Sequence, residues 1–129
     1  MKGATTISAF VEYLEHLGDF YGIPKGLTGI LSEMFKVALE DKQTGYNCLY
    51  INKALKLQIA NQNKVSLSRV NHAITDYVKA GYLLRVTVAT YIFEPKLFGS
   101  YKQREMLLTS EEIKAVYDYG NRTVQVEIG

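Results

Sequence analysis

Residues 59 to 86 read IANQNKVSLSRVNHAITDYVKAGYLLRV, and their spacing predicts a helix, a tight turn, a second helix, a glycine stop and a strand. Ser66 is placed to cap the second helix, and Gly81 to end it in a left-handed conformation. A helix-turn-helix holds its two helices at a steep angle, so that the second can enter a major groove with its N-terminal residues against base edges. Such a crossing needs small and apolar residues inside. Ile59, Ala60, Val65, Val70 and Ile74 supply them, leaving Ser66, Leu67, Ser68, Arg69, Asn71, His72 and Thr75 for the outward face.

Those outward residue types suit base reading. Arg69 can donate two bonds to guanine, Asn71 can exchange two with adenine, and Ser68 or His72 can serve bases or phosphates. Ser66 and the free amides around it can hold a phosphate. Leu67 either meets a thymine methyl or packs on the neighbouring helix. The plain alternative is a helical hairpin that is polar outside because water is there, and the strand-forming run directly after Gly81 is what favours a DNA reader.

Working outward, Cys48–Ile51 predicts a short strand, Asn52 an N-cap, and residues 53 to 62 a helix. Tyr82–Phe93 would span about 40 Å as one strand, so a hairpin is expected. Its turn within 86 to 90 contains no Gly, Asn, Asp or Pro, and Pro95 closes the second strand. Towards the N-terminus, Ile7, Phe10, Val11, Leu14 and Leu17 predict a helix from about Thr6 to Leu17, with Gly18 as its stop and a loop over 19 to 26. A second helix is expected from Leu27 to about Glu40, then a turn over 41 to 47. Thr109 with Glu112 has capping-box spacing, predicting a last helix over 110 to 119 with Gly120 after it. Val124, Val126 and Ile128 then share one face of a terminal strand, which needs a partner in this chain or in another copy.

The expected fold class is α+β, a winged helix-turn-helix with an extra N-terminal helix and a C-terminal helix plus strand. A single domain over 1–129 is expected, with a helix and loop over 1–26, the core over 27–99 and extensions over 100–129.

Net charge is only +2, but it is unevenly distributed. From Asn52 to Arg104 nine basic residues face two acids, Asp76 and Glu94, for +7; residues 1 to 51 carry −2 and residues 105 to 129 carry −3. A basic centre between acidic flanks fits one phosphate-facing surface, although solvated surface charge gives the same pattern. Lys53, Lys64, Arg85, Lys96, Lys102 and Arg104 are the candidate phosphate contacts. Glu12, Glu15 and His16 interrupt the first apolar run, which therefore fails as a signal peptide, and no segment reaches the apolar length of a membrane span. Cys48 is the only cysteine, so it has no partner within the chain and is expected to be structural. The cytoplasm is the expected compartment.

No catalytic constellation is found. His16 and His72 fall on different helices without metal-ligand spacing, and there is no Walker loop, dinucleotide fingerprint or nucleophile elbow. Neither an enzyme, a metal nor a cofactor is expected. The tyrosines read as half-buried packing residues.

Taken together, YIN at 50–52, VSLSRVNHAI at 65–74, AGYL at 80–83 and YIFEPKLFG at 91–99 resemble the winged-helix domains of bacterial transcription regulators. They are more similar still to plasmid and phage replication initiators of the RepL type. The resemblance implies sequence-specific duplex binding by a homodimer, with replication initiation, copy control or transcription control as the outcome and other replication or partition proteins as further partners. The residues alone leave a second reading open, a winged-helix module for protein contact.

Overall fold

The computed structural model describes residues 8–128. Six helices and two antiparallel sheets make a mixed α+β architecture. Helix α1 spans Ala9–Tyr21, α2 Thr28–Lys36, α3 Lys53–Asn63, α4 Leu67–Ala80, α5 Pro95–Phe98 and α6 Arg104–Thr109. The strands are β1 (Leu39–Glu40), β2 (Asn47–Tyr50), β3 (Leu83–Arg85), β4 (Thr90–Phe93), β5 (Ile113–Asp118) and β6 (Thr123–Ile128).

The expected start of the first helix near Thr6 lies outside the described residues. Its expected end is corrected: Gly18 sits inside α1, and the left-handed residue that stops the helix is Gly22, at φ 79°. Gly18 serves close approach instead. The chain folds back so that Ile23 N–H donates to the Gly18 carbonyl at 2.8 Å, and a Cβ on residue 18 would lie 2.9 Å from the Ile23 carbonyl oxygen. Helix α2 also departs from expectation, ending at Lys36 so that Leu39 and Glu40 can pair with β2.

The first sheet has strand order β1-β2-β4-β3. Its inner face, with Leu49, Leu83 and Phe93, is buried with the helices. Phe35 lies at the centre of the core, its ring 5.2 Å from Phe10, 5.3 Å from Phe93 and 5.5 Å from Phe98. Buried Asn47 ties the sheet to the end of α5, its amide donating to the Gly99 carbonyl at 3.2 Å.

The largest correction is C-terminal. The helix expected over 110 to 119 is absent, and Ile113–Asp118 is strand β5, paired in register with β6 from Ile113↔Ile128 to Asp118↔Thr123. Ile113, Ala115 and Tyr117 alternate with exposed Lys114, Val116 and Asp118, a period of two that serves a strand better than a helix. The capping box does not form, because the Thr109 hydroxyl donates to the Glu105 carbonyl at 2.7 Å as the last turn of α6. Gly120 belongs to the hairpin turn, where the Asp118 carboxylate accepts from Asn121. The terminal strand thus finds its partner within this chain.

The same packing covers the N-terminal helix. Phe10, Tyr13, Leu14 and Leu17 are buried, and α1 packs against α2, α6 and β5. The apolar stripe of α1 is therefore covered within this chain. Among the described residues no helix is long and apolar enough to cross a membrane.

Candidate nucleic-acid interface

Helix α3 begins where the Asn52 side chain accepts from Leu55 N–H at 2.8 Å. It ends at Lys64, which takes a left-handed conformation at φ 55°, ψ 44°, while Val65 N–H returns to the Ala60 carbonyl at 3.0 Å. Two residues later the Ser66 hydroxyl accepts from Arg69 N–H at 3.1 Å and starts α4. Val70, Ala73, Ile74 and Tyr77 form the buried stripe of α4, and the Tyr77 hydroxyl donates to the Leu27 carbonyl, fastening α4 to the start of α2. Gly81, at φ 85°, closes the helix and feeds β3.

At about 100° per residue, Ser68, Asn71, His72 and Thr75 share the side of α4 opposite that stripe, and all four are exposed. Thr75 also bonds the Asn71 carbonyl of its own helix at 3.2 Å. Ser66 is exposed at the N-terminus, and Leu67 is half-buried rather than outward. Arg69 is exposed but lies to one side of the row. Its Nη2 would be 2.9 Å from a Cβ on Gly26, so the guanidinium rests against the turn that leads into α2. Lys25 precedes that glycine and is also exposed, bringing to the edge of α4 a cation that its distance in sequence concealed. Lys79 extends the row towards the C-terminal end of α4, and its helical spacing from His72 and Thr75 was the signal that could have found it.

The remaining candidates divide by what their charge touches. Lys53 and Lys64 are exposed at the two ends of α3. Lys96 lies elsewhere, lining a groove with Gly81, Glu94 and Arg122 beyond the C-terminal end of α4. Lys102 is exposed on the segment whose Tyr101 N–H bonds the Gly45 carbonyl. Arg104 donates to the Lys36 carbonyl at 3.1 Å and lies 5.3 Å from the centre of the Tyr101 ring, closing the C-terminal end of α2. Arg85 folds onto the β3–β4 turn, with bonds of 3.3 Å and 3.4 Å to the Thr87 and Val88 carbonyls. That clip, with Val86 N–H to the Thr90 carbonyl at 2.8 Å, makes a tight turn from residues that carry no turn signal of their own.

Electrostatics separates centre from flanks. Glu33–Lys36, Glu40–Lys42 and Glu112–Lys114 form ion pairs, all outside 52–104. Among the described residues, no lysine or arginine of 52–104 is paired with a carboxylate, so none of the described acids neutralises the basic surplus there by an ion pair. No group of His, Cys, Asp and Glu among the described residues is placed to hold a metal ion.

No protein-family model, curated protein or solved structure matches this chain.

Proposed function

We propose that this protein is a winged helix-turn-helix that binds duplex DNA sequence-specifically as a dimer, and that it serves replication initiation or copy control of a plasmid or phage. The observation that carries the DNA reading is the exposed row Ser68, Asn71, His72 and Thr75 on a capped helix, within a basic region that forms no ion pair among the described residues. In this reading α4 enters the major groove. Ser68, Asn71 and His72 meet base edges, while Ser66 and the uncapped amides beside it meet a phosphate. Lys53, Lys64 and Lys25 add backbone contacts that position the helix without reading sequence. Arg69 reaches guanine only by leaving Gly26, a change confined to one flexible side chain.

The β3–β4 hairpin takes the place of the wing. Its tip, Val86-Thr87-Val88-Ala89, is uncharged, and the one guanidinium beside it is held by the turn. Phosphate affinity in this proposal therefore comes from the helices. A dimer belongs to the proposal because one helix pair reads only a half-site.

Replication is favoured over transcription control by the resemblance at residues 91–99 alone, since both outcomes use the same face. Selection of bound duplexes from a random pool tests the proposal. A repeated array of enriched sites supports replication, whereas one palindrome with half-sites about one helical turn apart supports a transcription regulator. A pool with no enriched sequence would contradict specific binding.

A further inference from the structure

The outer face of the first sheet is unusually apolar for a surface on which none of the described residues packs. Pairing of Leu39 with Cys48, Cys48 with Ile92 and Ile92 with Leu84 sets four apolar side chains in one row across all four strands. Leu39 is 62% exposed and Leu84 67%. Exposed Tyr50 and Val86 lie beside the row, and the hairpin tip carries Val88 at 82% exposure. Together these side chains leave on the order of 600 Å² of apolar surface in water, at the upper end for a lone soluble domain. A standard interface takes about 800 Å² from each partner.

We propose that this face is a homodimer interface in which the β3–β4 tip of each copy seats in a recess on the other. The face carries both halves of such a contact. Cys48, Ile92 and Leu84 line a recess of about 520 Å³ walled in part by Tyr46, Asp41 and Glu94. The projection is the end of the hairpin, Thr87 to Ala89, beyond Val86, which itself lines the recess, and the Arg85 clip holds it in shape. A surface that offers a recess and the projection to fill it is self-complementary, as a two-fold interface requires. The inference rests on the DNA-binding proposal for its purpose, supplying the second half-site reader, but its test needs no DNA.

Sedimentation of the full chain without DNA, between about 1 and 100 µM where micromolar association is visible, should give twice the monomer mass of 14.6 kDa. Leu84→Glu and Val88→Glu should each reduce the mass to that of one chain, with circular dichroism unchanged and a melting temperature that no longer rises with protein concentration. Val116→Glu, at a position 65% exposed on β5, should leave the dimer intact, as should Asn71→Ala on α4. A wild-type monomer throughout that range would overturn the proposal and leave the face to a different partner. A dimer that survives Val88→Glu, at the exposed tip of the hairpin, would overturn it equally. A wild-type chain that dimerises as expected but binds no duplex would count against the DNA reading alone.

Discussion

Lys64 is the residue under greatest backbone constraint between α3 and α4, because a side chain in the left-handed region costs about 1 to 2 kcal/mol relative to glycine. Lys64→Gly is expected to raise stability by about 1 kcal/mol in urea unfolding while weakening all DNA sequences alike, since it removes a backbone-directed charge. Retaining lysine at a position that favours glycine is what a phosphate contact would explain. The three central arginines behave differently from the lysines. Arg69, Arg85 and Arg104 each lie against backbone within the fold, at Gly26, at the β3–β4 turn and at the Lys36 carbonyl. Arg104→Ala should therefore lower stability by about 1 kcal/mol and change DNA affinity little, a contrast read by unfolding and binding on the same variant. Counting charges along the chain located the basic region but could not tell a free cation from one already held by a carbonyl, because those carbonyls come from distant or unmarked segments.

At the scale of elements, short-range chemistry was the legible part. Asn52, Ser66 and Gly81 act where their side chains or backbone freedom predicted, since a cap needs only the amides two or three residues away. Ser66→Ala should cost about 1 kcal/mol of stability, measured by urea unfolding, and should weaken DNA binding through fraying of the α4 N-terminus. The C-terminal segment shows where such chemistry misleads. Thr109 and Glu112 had capping-box spacing, yet the competing alternation of Ile113, Ala115 and Tyr117 prevails once β6 can pair with it. Gly18 misled for a related reason: only the fold shows that Ile23 returns over it. The hairpin turn at 86–90 was unmarked because its stability comes from a side chain, Arg85, rather than from turn residues.

Across the whole molecule, tyrosines fasten one layer to another. Tyr13 donates to the Leu97 carbonyl at 2.6 Å, and Tyr77 stacks on Tyr82 with ring centres 6.1 Å apart. Burial raises the ionisation of Tyr13, Tyr77 and Tyr82 well above the ordinary tyrosine range, and Tyr117 is pushed up to about 12, also by burial first. An unfolded tyrosine ionises near 10.0, below the folded value, so this stability is intact below pH 10 and is lost as pH rises further. The loss approaches about 1.4 kcal/mol per pH unit for each of the buried Tyr13, Tyr77 and Tyr82, and solvent screening makes it smaller for the more exposed Tyr117. Tyrosinate absorbance should show these groups appearing in one step with the loss of circular dichroism; early, separate titration would contradict their burial. The candidate interface, by contrast, stays at the surface, and the polar row on α4 was legible because helical spacing alone assembles it. In the proposed function the cations beside that row, which form no ion pair among the described residues, meet phosphates. Fluorescence anisotropy with a labelled duplex across a salt series tests this most directly: log affinity should fall linearly with log salt, with a slope of about −0.9 per phosphate neutralised, whereas no binding at about 50 mM salt would contradict the account.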